Sequence, residues 1–191
     1  MRSADRNTLD ILYRHRTIIA DDAIIVFTDV YDVLCIRYDP AGLAADFSAT
    51  GRDLIVGAKT VFCHHSVDVL PFFLSNYLGH PAKYLNSGFI IGYKSAYLRM
   101  LHYIASNFVD KYMMDCPQND QRVISRFMLE NSEVGLLNMD INSTFKFYYT
   151  HTYDNTPLCC DKLVSYFVHL PWLALEIQKQ AYQEIRRVFN I

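Results

Sequence analysis

The run Ile24-Ile25-Val26-Phe27, closely followed by the acids Asp29 and Asp32, constrains the fold more than any other segment. Continuous apolar, largely β-branched character over so short a stretch is the pattern of a strand covered on both faces in a parallel sheet. Leu54-Ile55-Val56-Gly57-Ala58 repeats it. Tyr84 to Tyr93 combines strand residues with two glycines and reads as a turn plus a strand, the turn falling at Asn86-Ser87-Gly88, all common turn formers. Leu136 to Met139, Phe145 to Tyr149 and Tyr166 to His169 are short strand candidates. Helical spacing falls between them: Asn7 to Ile18, a turn and helix over Asp39 to Thr50, Ser95 to Asn107, Gln118 to Asn131 opened by Pro117, and Leu173 to Phe189. The alternation predicts an α/β architecture. With no repeat, low-complexity tract or linker, residues 1–191 are expected to form a single domain.

Eighteen basic residues face twenty acidic ones, and a net charge of -2 supplies no general attraction to nucleic acid or anionic membrane. Phosphate binding must then be local. No apolar run approaches the roughly 18 residues of a membrane span, and MRSADRNTLD lacks the apolar stretch of a signal peptide, so a cytoplasmic location is expected. The five cysteines, Cys35, Cys63, Cys116, Cys159 and Cys160, lack paired C-x-x-C spacing and read as reduced thiols; the vicinal pair alone is a weak metal signal.

In an open α/β sheet, side chains converge outside the carboxyl ends of the strands, where FTDVYDV places Asp29 and Asp32. If the strand breaks into a turn at Asp29, the two carboxylates can meet on one cation; a continued strand would point them to opposite faces. Two carboxylates with positions left for water and phosphate suit Mg²⁺ or Mn²⁺. Such an ion offsets charge developing on a departing diphosphate. Tyr31, between the acids, is placed to stack on a base. Aspartates also cap turns for backbone reasons alone. Aspartate-nucleophile phosphohydrolases likewise place two acids after an apolar strand, but two residues apart, whereas the separation here is three.

Taken in order, IIVFTDVYDV, LIVGAKTVFC, KYLNSGFIIGY, NDQRVISRF with LLNMD, and Phe167-Val168-His169 resemble the GT-A-type glycosyltransferase domains of procollagen lysyl hydroxylases and related procollagen, viral and bacterial sugar transferases. The resemblance spans about Asp21 to Trp172. It implies a GT-A-like mixed sheet flanked by helices. It also implies Mn²⁺ (or Mg²⁺) held by Asp29, Asp32 and His169, with Tyr31 on the uracil or ribose of a UDP-sugar donor. Asn86, Ser87 and Gly88 would border the sugar and diphosphate. Asp120, flanked by Asn119 and Gln121, would lie beside the sugar and a hydroxylated protein or glycan acceptor as the catalytic carboxylate, a base or a hydroxyl-binding group. Independently, a carboxylate on the first turn of a helix is held ionised by the positive dipole end. Asp140 is expected to cap a turn rather than touch the acceptor. A homo-oligomer is compatible with this reading.

Members of that family begin with a strand, helix and second strand before the metal acids, and only about one helix precedes them here, so the first βαβ unit is expected to be missing. Ala58-Lys59 stands where a small residue and an acid are usual, and Leu170-Pro171-Trp172 replaces the glycines that usually follow the late histidine. Pro171 has no amide proton to donate to phosphate. Two functions therefore stay open: a Mn²⁺-dependent hexosyltransferase, or a truncated or degenerate relative serving as a non-catalytic binding or assembly module.

Overall fold

The computed structural model describes residues 16–29, 32–62, 67–107, 120–132, 135–148, 165–170 and 175–189. Its strands are β1 (Ile24–Thr28), β2 (Val33–Cys35), β3 (Leu54–Lys59), β4 (Tyr84–Tyr93), β5 (Asn138–Asp140), β6 (Lys146–Tyr148) and β7 (Phe167–His169). Its helices are α1 (Pro40–Ala49), α2 (Leu70–Tyr77), preceded by a 3-10 turn at Val67–Val69, α3 (Lys94–Asn107), α4 (Asp120–Glu130) and α5 (Leu175–Phe189). One sheet has the order β1-β4-β3-β5 and a smaller one the order β2-β7-β6. Both are mixed: β4 runs antiparallel to β1 and β3 while β5 runs parallel to β3, and β7 runs antiparallel to β2 but parallel to β6. The fold is α/β, with a mixed sheet flanked by helices.

Local chemistry accounts for the legible elements. Pro40 lies in the first turn of α1, where its fixed φ suits the helix and its missing N–H is not needed. The Asp39 side chain accepts from the Gly42 amide at 2.9 Å and caps that helix. Strand β3 is buried along its whole length, as its apolar run requires. On one face of the larger sheet, Val56, Ala58, Leu85 and Ile90 pack with Phe73 of α2, Tyr97 and Met100 of α3, and Val123 and Phe127 of α4. On the other, Ile55, Phe89 and Ile91 meet Phe47 of α1, Phe145 and Tyr166. A third cluster, Ile36, Val168 and Leu170 with Ala181 and Ile185, joins the smaller sheet to α5. Phe47, Phe73, Phe89 and Phe127 are fully buried, each contributing roughly 1.5–3 kcal/mol by leaving water.

Two expectations are corrected. Strand β1 is not enclosed in a parallel sheet: it ends the sheet order, pairs antiparallel with β4, and all five of its residues are only half-buried. The segment Tyr84–Tyr93 holds no turn but forms one ten-residue strand. Its turn formers instead occupy a bulge. Val56 pairs with Ile90 while the next residue, Gly57, pairs with Asn86, so Ser87, Gly88 and Phe89 have no counterpart on β3. Bulges bend a strand and re-aim its side chains. This one puts Leu85 and Ile90, five positions apart, on the same face of the sheet. The expected helix at Asn7 to Ile18 lies almost wholly outside the described residues, as does the opening of the one at Gln118. The remaining expected strands and helices are present with shifted ends. Among the described residues, no helix is long and apolar enough to cross a membrane.

Candidate metal centre

Strand β1 stops at Thr28, opposite Phe89, and one further bond, from the Asp29 amide to the Gly88 carbonyl at 3.1 Å, holds Asp29 against the bulge of β4. Asp32 lies in a turn directly before β2. Its carbonyl accepts from the Leu170 amide at 2.8 Å, and the next residue, Val33, pairs with His169. The break in the chain that the two acids need is therefore present. The larger sheet delivers Asp29, the smaller one delivers Asp32 and His169, and one ligand atom from each lies within 4.8 Å of the others.

His169 is 2% exposed, and its Nε2 is 3.2 Å from Asp32 Oδ2. Its Nδ1 lies 3.0 Å from Asn86 Oδ1 and 3.3 Å from Lys146 Nζ. Burial pushes the imidazole below its ordinary range and disfavours the imidazolium, although the bond to Asp32 pulls the other way. For Asp32, burial acts to raise the carboxyl, and the hydrogen bond to His169 with the charges of His169 and Lys146 outweighs it, leaving the group below the usual carboxylate range. Gly88 makes room for this meeting. A Cβ there would fall 2.5 Å from Asp29 Oδ2 and 2.7 Å from His169 Cε1. Two carboxylates and one imidazole nitrogen are a donor set for a divalent cation of hard to borderline character, Mn²⁺ included. The residues present fit such an ion.

The other expected site residues gather at the same bulge. Asn86 is buried behind His169, and its amide Nδ2 reaches Gln121 Oε1 at 3.5 Å. The Ser87 hydroxyl donates to Asp120 Oδ1 at 3.1 Å, tying the start of α4 to the sheet. Asp120 lies in the first turn of that helix, and Gln121 is buried. Tyr31 and Asn119 lie outside the described residues. Asp140 is a turn residue: its carboxylate accepts from the amides of Thr144, Phe145 and Lys146 at 2.8, 2.8 and 2.9 Å. Burial raises its carboxyl against those three bonds.

Sequence reasoning passed over Lys146 and did not foresee the burial of Lys59. Lys146 is fully buried, its ammonium donating to Asn86 Oδ1. Burial pulls it down to about 7, against the opposing influence of Asp140, Asp29 and Asp32. Lys59, 2% exposed at the end of β3, acts by its charge on both Lys146 and His169. The available signal was a lone cation inside the aromatic run Phe145-Lys146-Phe147-Tyr148. Half of a short strand is buried as a rule, so a lysine inside an aromatic run is a candidate for a built-in charge. The chain matches no protein-family model and no curated protein.

Proposed function

We propose that the chain is a metal-dependent glycosyltransferase of GT-A type, moving a hexose from a UDP-sugar to a hydroxyl acceptor. The observation that carries the reading is the convergence of Asp29, Asp32 and His169 outside the carboxyl end of β1. Asp29 and Asp32 would hold the cation through carboxylate oxygens and His169 through Nε2. When bound, Mn²⁺ supplies Lewis-acid neutralisation of the leaving diphosphate. Asp120, anchored by Ser87 and stabilised as an anion by its place at a helix start, orients the acceptor hydroxyl and takes its proton as the new glycosidic bond forms. Gly88 leaves room for Asp29 and His169 to approach each other beside the donor site. Calorimetry with Mn²⁺ and UDP tests the reading: binding of UDP that depends on Mn²⁺ and disappears in Asp32→Asn is expected. UDP binding indifferent to the metal would sink it. Asp120→Asn should spare that binding while lowering sugar transfer.

A non-catalytic binding module is the second reading. Buried Lys146 favours it, because its charge lies close enough to act on Asp29 and Asp32 without a metal. It predicts no Mn²⁺ binding at the corner.

A further inference from the structure

Helix α5 reaches the candidate metal centre from the other side of the smaller sheet. Side chains alternate along an extended chain, so Val168 and Leu170, on either side of His169, turn toward α5 while His169 turns toward Asn86 of β4. Ala181 and Ile185 of α5 cover that apolar face together with Ile36, and Leu34, two residues beyond Asp32, packs against the same cluster. Tyr182, next to Ala181, packs there too and stays half-buried. A tyrosine in such a place buries its ring and leaves its polar tip at the rim.

That rim is the Asp32 side of the corner. Burial pushes the Tyr182 phenol above its ordinary range, and the negative charge of Asp32 adds to the rise. Between partly exposed groups such an influence fades within about 10 Å, so the phenol oxygen lies near that carboxylate. Asp32 is also the more accessible ligand, its side chain 28% exposed against 3% for His169.

A diphosphate lodged at the corner needs hydrogen-bond donors for the oxygens that a cation does not hold. The ionised carboxylates of Asp29 and Asp32 only accept, and the Ser87 hydroxyl is given to Asp120. The Lys146 ammonium is buried against Asn86, and Pro171, two residues beyond His169, has no amide proton. A phenol beside Asp32 supplies what these groups do not.

We infer that Tyr182 belongs to the nucleotide-sugar site: its hydroxyl donates to a phosphate oxygen of the diphosphate held beside Asp29, Asp32 and His169. The inference rests on the transferase reading for its ligand. An ordinary packing role makes a different prediction, because the ring would then matter and the hydroxyl would not. Tyr182→Phe separates the two, since it keeps the ring and its packing and removes only the hydroxyl. Calorimetry on the full chain, with Mn²⁺ alone and then with UDP or uridine at saturating Mn²⁺, reads the outcome.

Tyr182→Phe is expected to bind Mn²⁺ as the wild type does and to bind UDP about 10-fold or more weakly, because bonds to a charged acceptor are the strong ones. Uridine, which carries no phosphate, should bind both chains equally. UDP binding equal in the two chains overturns the inference and leaves the transferase reading intact. A loss as large for uridine as for UDP would put the hydroxyl on the nucleoside, and weaker binding of Mn²⁺ alone would make Tyr182 a support for Asp32; either overturns it. A wild type that binds Mn²⁺ but shows no metal-dependent binding of UDP removes the transferase reading, and this inference with it.

Discussion

At the residue scale, the site depends as much on what Gly88 lacks as on what its neighbours carry. Asp29 and His169 come from different sheets and approach each other across the space a side chain at position 88 would occupy. Gly88→Ala would press a methyl group against Asp29 Oδ2 at 2.5 Å and against His169 Nδ1 at 3.1 Å. Both ligands would have to turn away, and ligand displacements approaching 1 Å cost up to about 100-fold at a preorganised site. Mn²⁺ binding measured by calorimetry is expected to fall at least about 10-fold, with Gly79→Ala, where an added Cβ meets nothing within 4 Å, as the unaffected control. Equal binding by Gly88→Ala and wild type would place the cation elsewhere. The two acids were legible in the sequence because they follow an apolar run, and Asp120 because it opens a helix. Lys146 was not, since its neighbours in the chain say nothing of Asn86, 60 residues away.

Elements dominated by local chemistry were readable, and those made by distant pairing were not. Asp39-Pro40 announces α1, and the apolar run from Leu54 announces β3. Strand β2 has only three residues, Val33–Cys35, and exists because β7 lies alongside it, more than 130 positions later. Asn86-Ser87-Gly88 carry turn propensity, but cross-strand pairing with β1 and β3 outweighs it and turns the propensity into a bulge. The link from β5 to β6 is likewise organised by one side chain, since Asp140 gathers three successive amides, two of them buried. Removing its carboxylate strands those donors. Asp140→Ala is expected to cost about 3 kcal/mol of stability, read as a lower urea midpoint at unchanged slope, with Asp140→Asn intermediate because an amide oxygen still accepts. A loss within about 0.5 kcal/mol, the ordinary range of surface substitutions, would show that the turn holds without it.

On the scale of the whole molecule, the candidate metal centre sits where the two sheets meet, so a cation bound there would couple binding to global stability. Asp29 follows a strand of the larger sheet, while Asp32 directly precedes β2 and His169 ends β7, its antiparallel partner in the smaller one. The packing between the sheets is largely apolar, built from Phe89, Phe145 and Phe167 with Tyr166, and the bonds of Asn86 to Lys146 and His169 cross it as well. A cation held by ligands from both sheets would add a further link that the unfolded chain, with His169 more than 130 positions from the two acids, cannot reproduce. At free Mn²⁺ about 100-fold above its Kd, that linkage contributes about 2.7 kcal/mol. For a chain of 191 residues it should raise the melting temperature by about 5–10 °C. Chelation should reverse the rise. In Asp32→Asn the fold and the apolar packing remain while the cation loses a charged ligand, so Mn²⁺ is expected to leave the melting temperature unchanged. An equal rise in that variant would assign the stabilisation to another part of the chain, because the two sheets would then be joined just as well without Asp32.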